Sequence, residues 1–199
     1  MPPRSFFICM VSPSGTPSPN ASAAALPGAQ ARTLLVNSLS KTYAMTGWRV
    51  GFLAAPAAVI ANALKASQNS ITCVAPFIQK AAAFALVDPG VQEATAQMRS
   101  AYTRRRSLVL ELARELGSTR MLVTPPMGAF YFFLDVRPLR RSSVEVCEGI
   151  LEQAQVGLVP GSAFGAQGEG FVRMTIAASD EDVAAGFRKI IGWAEGVKG

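Results

Sequence analysis

The sequence predicts an α/β fold made of two consecutive parts, and three observations support this prediction. Two short apolar runs bounded by turn-forming residues, 33–36 and 48–53, are typical of strands. A stretch of helical periodicity follows, from residue 56 to residue 117. After residue 120 the pattern changes to short strands alternating with helices, which is typical of a small α+β unit.

The composition divides the chain into three segments. Residues 1–30 are rich in Pro, Ser, Ala and Gly without periodicity, which predicts a loop-like or disordered leader. Residues 31–118 are predicted to form one domain and residues 119–199 a smaller carboxy-terminal one. In the segment 31–118, the run 33–36 is predicted to be a buried strand that ends at the turn-prone pair Asn37 and Ser38.

Three helices are predicted in the middle of the chain. The first follows Pro56, the second covers 76–87, and the third begins at Pro89 and ends at Gly117, because Pro favours a helix start and Gly a helix end. The tripeptide 104–106, all arginine, lies inside the third helical pattern and is interpreted as a solvated helix face.

The carboxy-terminal segment is predicted to contain strands at 130–135, 156–159 and 171–176, the last two flanking a glycine-rich loop. Ser142 with Glu145 three residues later predicts a capping box for a helix to about residue 153. Ser179 with Asp182 predicts the cap of the last helix. The predicted buried face of that helix is Val183, Phe187, Ile190, Ile191 and Ala194.

Composition excludes several classes of chemistry. The chain of 199 residues has no histidine, which removes Ser-His and Cys-His catalysis and most zinc sites, and no metal site is predicted. Its three cysteines, Cys9, Cys73 and Cys147, are far apart, which indicates a reduced, cytoplasmic setting. The net charge of +6 is dispersed without interleaved aromatics, and no apolar stretch is long enough to span a bilayer, so neither nucleic acid nor membrane is the expected partner.

The segment with the most chemical content is 37–51, which carries Ser38, Lys41 and Arg49. A lysine at the rim of a sheet can lose solvation, which favours the free amine needed for carbonyl chemistry. An arginine with a serine hydroxyl beside it is suited to hold a phosphate, because the planar guanidinium pairs two oxygens at once. An amine for an aldehyde and a clamp for a phosphate are what pyridoxal phosphate requires of a protein.

The string Ser-Leu-Ser-Lys-Thr-Tyr-Ala-Met-Thr-Gly-Trp-Arg-Val-Gly, residues 38–51, resembles the lysine signature of class I and II aminotransferases of fold type I. The resemblance implies that Lys41 forms a Schiff base with pyridoxal 5'-phosphate and moves the proton in catalysis. It implies that Ser38 and Arg49 bind the cofactor phosphate. Ser40 is given no role.

Three further segments resemble the same family: 125–135, 159–165 and 171–176. The last resembles the strand whose arginine grips the substrate α-carboxylate, so Arg173 is assigned that role. The resemblance covers about residues 24–197. It implies part of a fold type I large domain followed by a carboxy-terminal α+β domain, amino acid and 2-oxo acid substrates, and a homodimer in the full-length family.

The sequence departs from this family in length and in its first half. Family members are roughly twice as long, and the aspartate that pairs with the pyridine nitrogen has no counterpart here, since the first carboxylate in the chain is Asp88. A truncated or frame-shifted reading of the gene is the expected explanation. The ring would then be a weaker electron sink, and we expect the isolated chain to be poorly active.

Three alternatives compete with this interpretation. The chain could be a non-catalytic remnant that acts only as a cofactor-binding or oligomerisation module. Ser38 and Lys41 also satisfy a Ser-x-x-Lys pattern of serine acyl enzymes, but the companion motifs are missing. The glycines of 161–170 do not have the Gly-x-Gly-x-x-Gly spacing, so a plain loop is favoured over a dinucleotide site.

Overall fold

The computed structural model describes residues 23–197. Within this range the chain forms two compact units, an amino-terminal unit (residues 23–98) and a carboxy-terminal unit (residues 99–197). The predicted leader lies outside the described residues up to residue 22, and its remainder includes two short 3-10 helices, Ala23–Ala25 and Gln30–Arg32. Among the described residues, no helix combines the length and apolar character needed to cross a membrane.

The amino-terminal unit contains an antiparallel hairpin of β1 (Leu35–Ser38) and β2 (Gly51–Ala54). The first strand therefore begins two residues later than the predicted run 33–36. The prediction that it is buried is wrong, because Val36 is 55% exposed. The physical reason is that successive side chains of β1 point to opposite faces, and the described residues leave one of those faces uncovered.

The second strand is also shorter than predicted. Residues 46–49 form a turn, and the run 48–53 becomes a strand only at Gly51. Arg49 has φ +52°, in the left-handed region, where a strand cannot continue. The first residues of the apolar run, from Trp48 to Val50, therefore belong to the loop and not to the strand.

The three predicted helices are confirmed as α1 (Ala57–Ser70), α2 (Pro76–Val87) and α3 (Pro89–Leu116). Pro76 occupies the first turn of α2, where its missing N–H has no intrahelical partner to lose. Asp88 caps α3, because its carboxylate accepts a hydrogen bond from the Val91 amide at 3.0 Å.

The buried core of the amino-terminal unit is small and joins the hairpin loop to α2. Leu39 and Val50 stand at the two ends of the loop and Met45 in its middle, and all three side chains are buried. They pack with Ala82 and Ala85 of α2. The loop is thus anchored by apolar contacts, although most of its other residues are exposed.

The carboxy-terminal unit is an α+β structure with a four-stranded sheet. Its strands are β3 (Leu122–Val123), β4 (Tyr131–Asp135), β5 (Val159–Pro160) and β6 (Phe171–Thr175). All neighbours are antiparallel and the spatial order is β3-β4-β6-β5. This agrees with the predicted α+β character of the segment.

One strand of this sheet is much shorter than predicted. The run 156–159 was expected to form a strand, but β5 contains only Val159 and Pro160. Gln155 ends the preceding helix in the left-handed conformation, with φ +56°. Val156 and Leu158 then pack on the core without joining the strand ladder, so the apolar pattern reflects burial.

The two helices of this unit are α4 (Ser143–Ala154) and α5 (Asp180–Gly196), and both predicted caps are confirmed. Ser142 and Glu145 form a reciprocal capping box, and the Ser179 hydroxyl accepts a hydrogen bond from the Asp182 amide at 3.0 Å.

Side chains of α4 and α5 cover one face of the sheet and form the main core. All five residues predicted for the inner face of α5 are buried, and Phe187 and Ile190 are fully inaccessible. Burial of one such side chain stabilises the fold by about 1.5–3 kcal/mol.

The interpretation of the arginine tripeptide as a solvated face is wrong for Arg105 and Arg106, which are partly buried, whereas the Arg104 side chain is 61% exposed. Arg104 and Arg105 both donate to Asp180 of α5, at 2.6 and 2.8 Å, and Arg106 donates to the Pro126 carbonyl at 2.8 Å. These contacts fasten the second half of α3 to the rest of the carboxy-terminal unit.

The compact units divide inside α3, after Met98, whereas the predicted domain boundary at residue 118 follows the helix. The reason is that Val109 and Leu112, late in α3, are buried in the carboxy-terminal core. The assignment of 31–118 to a large cofactor-binding domain stays a prediction.

Candidate functional site

The hairpin loop, residues 39–50, carries two of the three predicted cofactor residues, and the third immediately precedes it. Ser38 is the last residue of β1 and lies opposite Gly51. The Leu39 amide donates to the Val50 carbonyl at 3.3 Å, and this hydrogen bond joins the two ends of the loop next to the Ser38–Gly51 pair. The antiparallel register therefore brings Ser38 and Arg49 to the same end of the hairpin.

A close backbone contact holds this end together. A Cβ atom at Gly51 would lie 2.6 Å from the Asn37 carbonyl oxygen and 3.3 Å from the Ser38 Cα. Only a residue without a side chain allows the two strands to approach this closely. Gly51 therefore fixes the separation of Ser38 from the returning strand.

Local hydrogen bonds orient the start of the loop. The Ser38 amide donates to the Asn37 Oδ1 at 2.7 Å, and the Ser40 amide donates to the Ser38 Oγ at 3.0 Å. The Oγ atoms of Ser38 and Ser40 lie 2.7 Å apart. Ser40, which the sequence left without a role, thus supports the Ser38 hydroxyl.

Arg49 occupies the far end of the loop in a left-handed backbone conformation, with φ +52°. Its Nη1 donates to the Thr46 carbonyl at 3.1 Å, and the residue is exposed. A guanidinium has five N–H donors, so the bond to Thr46 fixes the side chain while leaving donors for an anion.

Lys41 lies in the first turn of the loop, two residues after the buried Leu39. The side chain is exposed, so the loss of solvation expected of a lysine at a sheet rim is not seen in this structure. The sequence placed Lys41 directly after a strand, and this position is confirmed, since β1 ends at Ser38.

The chemical types in this loop fit a phosphorylated aldehyde. A hydroxyl and a guanidinium at one end of a hairpin can share a phosphate, and an amine from the same loop can condense with a carbonyl. Pyridoxal phosphate carries both groups, and Ser38, Lys41 and Arg49 supply donors of the matching kinds.

Arg173 lies in the carboxy-terminal unit, at the centre of β6. It faces Phe133 on one neighbouring strand and Val159 on the other. The structure therefore gathers Ser38, Lys41 and Arg49 on one hairpin and places Arg173 in the other unit.

Aromatic rings surround Arg173. Its guanidinium carbon lies 4.3 Å from the centroid of the Tyr131 ring and 4.9 Å from that of Phe164. Sequence reasoning did not single out these rings. Tyr131 could have been found from the alternation of β4, since it lies on the same sheet face as Arg173, but Phe164 comes from a loop and gives no such signal.

Comparison with known proteins places these residues in context. The family model described as Aminotransferase class I and II matches residues 11–190, so the match begins before residue 24, where the sequence resemblance started. The chain is 44% identical over 162 residues to the aromatic-amino-acid aminotransferase 2 of Thermococcus litoralis, covering 81% of this chain and 41% of that protein. It is 45% identical over 160 residues to the aspartate aminotransferase of Pyrococcus abyssi, covering 80% and 40%.

Solved structures agree. The crystal structure of an aromatic aminotransferase from Pyrococcus horikoshii superposes with a TM-score of 0.81 at 42% identity, covering 86% of this chain and 45% of that one. The aspartate aminotransferase from Thermus thermophilus with maleate gives 0.78 at 35% identity, covering 86% and 43%. The chain thus spans about two fifths of the length of the curated relatives it matches.

None of these relatives is named as a non-catalytic module, so they give that alternative no support.

Proposed function

Because the chain belongs to the class I and II aminotransferase family, we propose that the protein transfers an amino group between an amino acid and a 2-oxo acid with pyridoxal phosphate. The aminotransferases of this family are pyridoxal phosphate enzymes. The observation that carries the proposal is the placement of Ser38, Lys41 and Arg49 on one hairpin closed by the Leu39–Val50 hydrogen bond.

We assign the phosphate to Ser38 and Arg49. The Ser38 hydroxyl donates to the Ser40 Oγ in this structure and would turn its proton toward a bound phosphate. The guanidinium of Arg49 is steadied by the Thr46 carbonyl. A phosphate held between a hydroxyl and a guanidinium gains charge-assisted hydrogen bonds, which are about twice as strong as neutral ones.

We assign the aldehyde to Lys41, whose amine is the nucleophile that this chemistry requires. Bound pyridoxal phosphate supplies an electron-withdrawing ring that accepts the electron pair left when the substrate Cα–H bond breaks. Once the substrate amine had displaced Lys41 from the aldehyde, its free Nζ would be the base that takes the proton from Cα. Its exposure is consistent with a side chain that must reach a substrate.

We assign the substrate α-carboxylate to Arg173. A planar guanidinium pairs with both oxygens of a carboxylate and so fixes the orientation of Cα. Two relatives of nearly equal similarity are named for aspartate and for aromatic amino acids, and we infer that acidic and aromatic amino acids are both candidate substrates.

We further propose that the protein acts as a homodimer in a reducing, cytoplasmic setting. Cys73 and Cys147 are free thiols in the described part of the chain, which supports the second inference.

Reductive trapping tests the proposal. The chain is mixed with pyridoxal phosphate, reduced with borohydride and digested, and the pyridoxyl group is located by mass spectrometry. We expect it on Lys41 and expect Lys41→Ala to abolish it. Lys65→Ala is the control, because Lys65 is an exposed lysine of α1. Equal labelling of the Lys41→Ala chain at other lysines would overturn the assignment.

A further inference from the structure

One face of the carboxy-terminal sheet carries Arg173 at its centre with aromatic side chains beside it. Strand alternation turns Val172 and Met174 toward the core, so Arg173 points to the other face. On that face β4 contributes Tyr131 and Phe133. The rings around Arg173 define how its guanidinium is held.

Aromatic rings, and no carboxylate of the described residues, lie next to the Arg173 guanidinium. Tyr131 and Phe164 lie 4.3 and 4.9 Å from its central carbon. None of the ion pairs found among residues 23–197 involves Arg173. Since no carboxylate within residues 23–197 pairs with Arg173, its N–H donors are available to a ligand carboxylate.

Phe164 reaches Arg173 from outside the sheet. It ends the 3-10 helix Gly161–Phe164, and its side chain is 51% exposed, so burial alone does not determine where the ring lies. Its edge also meets Phe133, with ring centroids 6.0 Å apart. The position of the ring must therefore be set by the loop that carries it.

That loop is packed without spare room. A Cβ atom at Gly161 would lie 1.9 Å from the Gly168 carbonyl oxygen, and one at Gly168 would lie 2.1 Å from the Gly161 carbonyl oxygen. The two backbone segments on either side of Phe164 are thus in direct contact.

A buried serine fastens the same loop to α4. Ser143 is fully buried, and its amide and hydroxyl donate to the two carboxylate oxygens of Glu169 at 2.7 and 2.8 Å. The Ser162 amide donates to the Ser143 Oγ at 3.3 Å. Hydrogen bonds to a charged carboxylate are strong, so both ends of the loop are fixed to the helix.

We propose that Phe164 is a positioning residue for Arg173: its ring, held by the loop that Ser143 and Glu169 fasten, keeps the guanidinium against Tyr131 with its N–H edge ready for the substrate carboxylate. The inference rests on the carboxylate role proposed above for Arg173. It adds that this role depends on an aromatic ring at position 164, which lies outside the sheet.

Nuclear magnetic resonance of the full 15N-labelled chain tests the inference without an activity assay. Arg173→Lys identifies the Nε–Hε cross-peak of Arg173, and maleate serves as a non-reacting carboxylate probe. We expect Phe164→Leu to move the cross-peak toward that of exposed arginines and to weaken maleate binding about two- to fivefold, the size of a lost cation–π contact at an accessible site. Phe164→Tyr keeps a ring and should preserve both properties.

Phe84→Leu is the matched control, because Phe84 is 58% exposed on α2 in the other unit. An unchanged cross-peak and maleate affinity in Phe164→Leu would overturn the positioning role while the carboxylate role of Arg173 stands. If maleate leaves the Arg173 cross-peak of the unsubstituted chain in place, the carboxylate role itself fails, and the inference fails with it. Equal losses in Phe164→Leu and Phe164→Tyr would also overturn it, since the ring would then not be what matters.

Discussion

Gly51 lies so close to Asn37 that a Cβ atom built on it would come within 2.6 Å of the Asn37 carbonyl oxygen. We predict that Gly51→Ala forces the hairpin strands apart and lowers the free energy of unfolding by about 1–3 kcal/mol, as overpacking usually does. Urea unfolding measures this change. Borohydride trapping on Lys41 should fall in parallel, because the end of the hairpin that holds Ser38 and Arg49 is displaced.

Gly47→Ala is the control for this substitution. Gly47 lies in the same loop, and a Cβ atom there would meet nothing within 4 Å. Equal destabilisation by the two substitutions would show that loop flexibility, and not the contact with Asn37, explains the effect.

Arg49 is predicted to contribute more than a positive charge. Arg49→Lys keeps the charge but loses the planar fork, so we expect the dissociation constant for pyridoxal phosphate to rise about tenfold, the loss of one charge-assisted hydrogen bond. Absorbance titration of the chain with the cofactor measures it. Arg32→Lys, an exposed arginine of the same unit, should have no effect. A dissociation constant that stays the same in Arg49→Lys would count against a bidentate phosphate contact.

The Asp180 carboxylate links stability to pH at the acid end. Hydrogen bonds from Arg104 and Arg105 lower the pKa of Asp180 from 3.8 to about 2. A carboxylate whose pKa is lower in the folded chain stabilises it above the unfolded pKa, and this stabilisation is lost as pH falls toward the folded value. The stability difference between the unsubstituted chain and Asp180→Asn should therefore be constant above about pH 5 and shrink between about pH 4 and 2.

Chemical unfolding at several pH values measures that difference. Asp182→Asn serves as the comparison, because Asp182 lies in the same first turn of α5 but forms none of the ion pairs found within residues 23–197. A difference between the unsubstituted chain and Asp180→Asn that stays constant down to pH 2 would contradict the ion-pair explanation.

The two described thiols should react at very different rates. Burial raises the pKa of Cys147 to about 11, while Cys73 is exposed. Because the thiolate is the reactive form, alkylation of Cys147 at pH 8 should be slower by at least about 100-fold in the folded chain. Timed iodoacetamide labelling followed by mass spectrometry, in a Cys9→Ser background, measures both rates. Comparable rates before unfolding would show that the α4 core opens readily.

Local chemistry made part of the fold predictable from the sequence. The capping box of Ser142 and Glu145 was found because its partners are three residues apart. The buried face of α5 followed from helical spacing alone. The ends of strands were less predictable. Arg49 adopts a left-handed backbone conformation, which arginine does not specifically favour. Val156 and Leu158 are apolar because they pack against the core, although they form no strand hydrogen bonds.

The candidate site also has a part that the sequence predicted and a part that only the structure shows. Ser38, Lys41 and Arg49, the residues proposed to bind the cofactor, lie within twelve positions of one another, so a local motif could suggest them. The surroundings of Arg173 depend on contacts between distant segments. The bond between Ser143 and Glu169 joins residues 26 positions apart, and only the folded chain shows that it fixes the loop of Phe164.

The mutual contact of Gly161 and Gly168 constrains how this protein can evolve. Each glycine faces the backbone carbonyl of the other, so enlarging one residue cannot be compensated by shrinking its neighbour, which is already the smallest amino acid. Compensating pairs of substitutions at positions 161 and 168 are therefore not possible. Descendants that alter this stretch should do so by insertion, deletion or replacement of the whole segment.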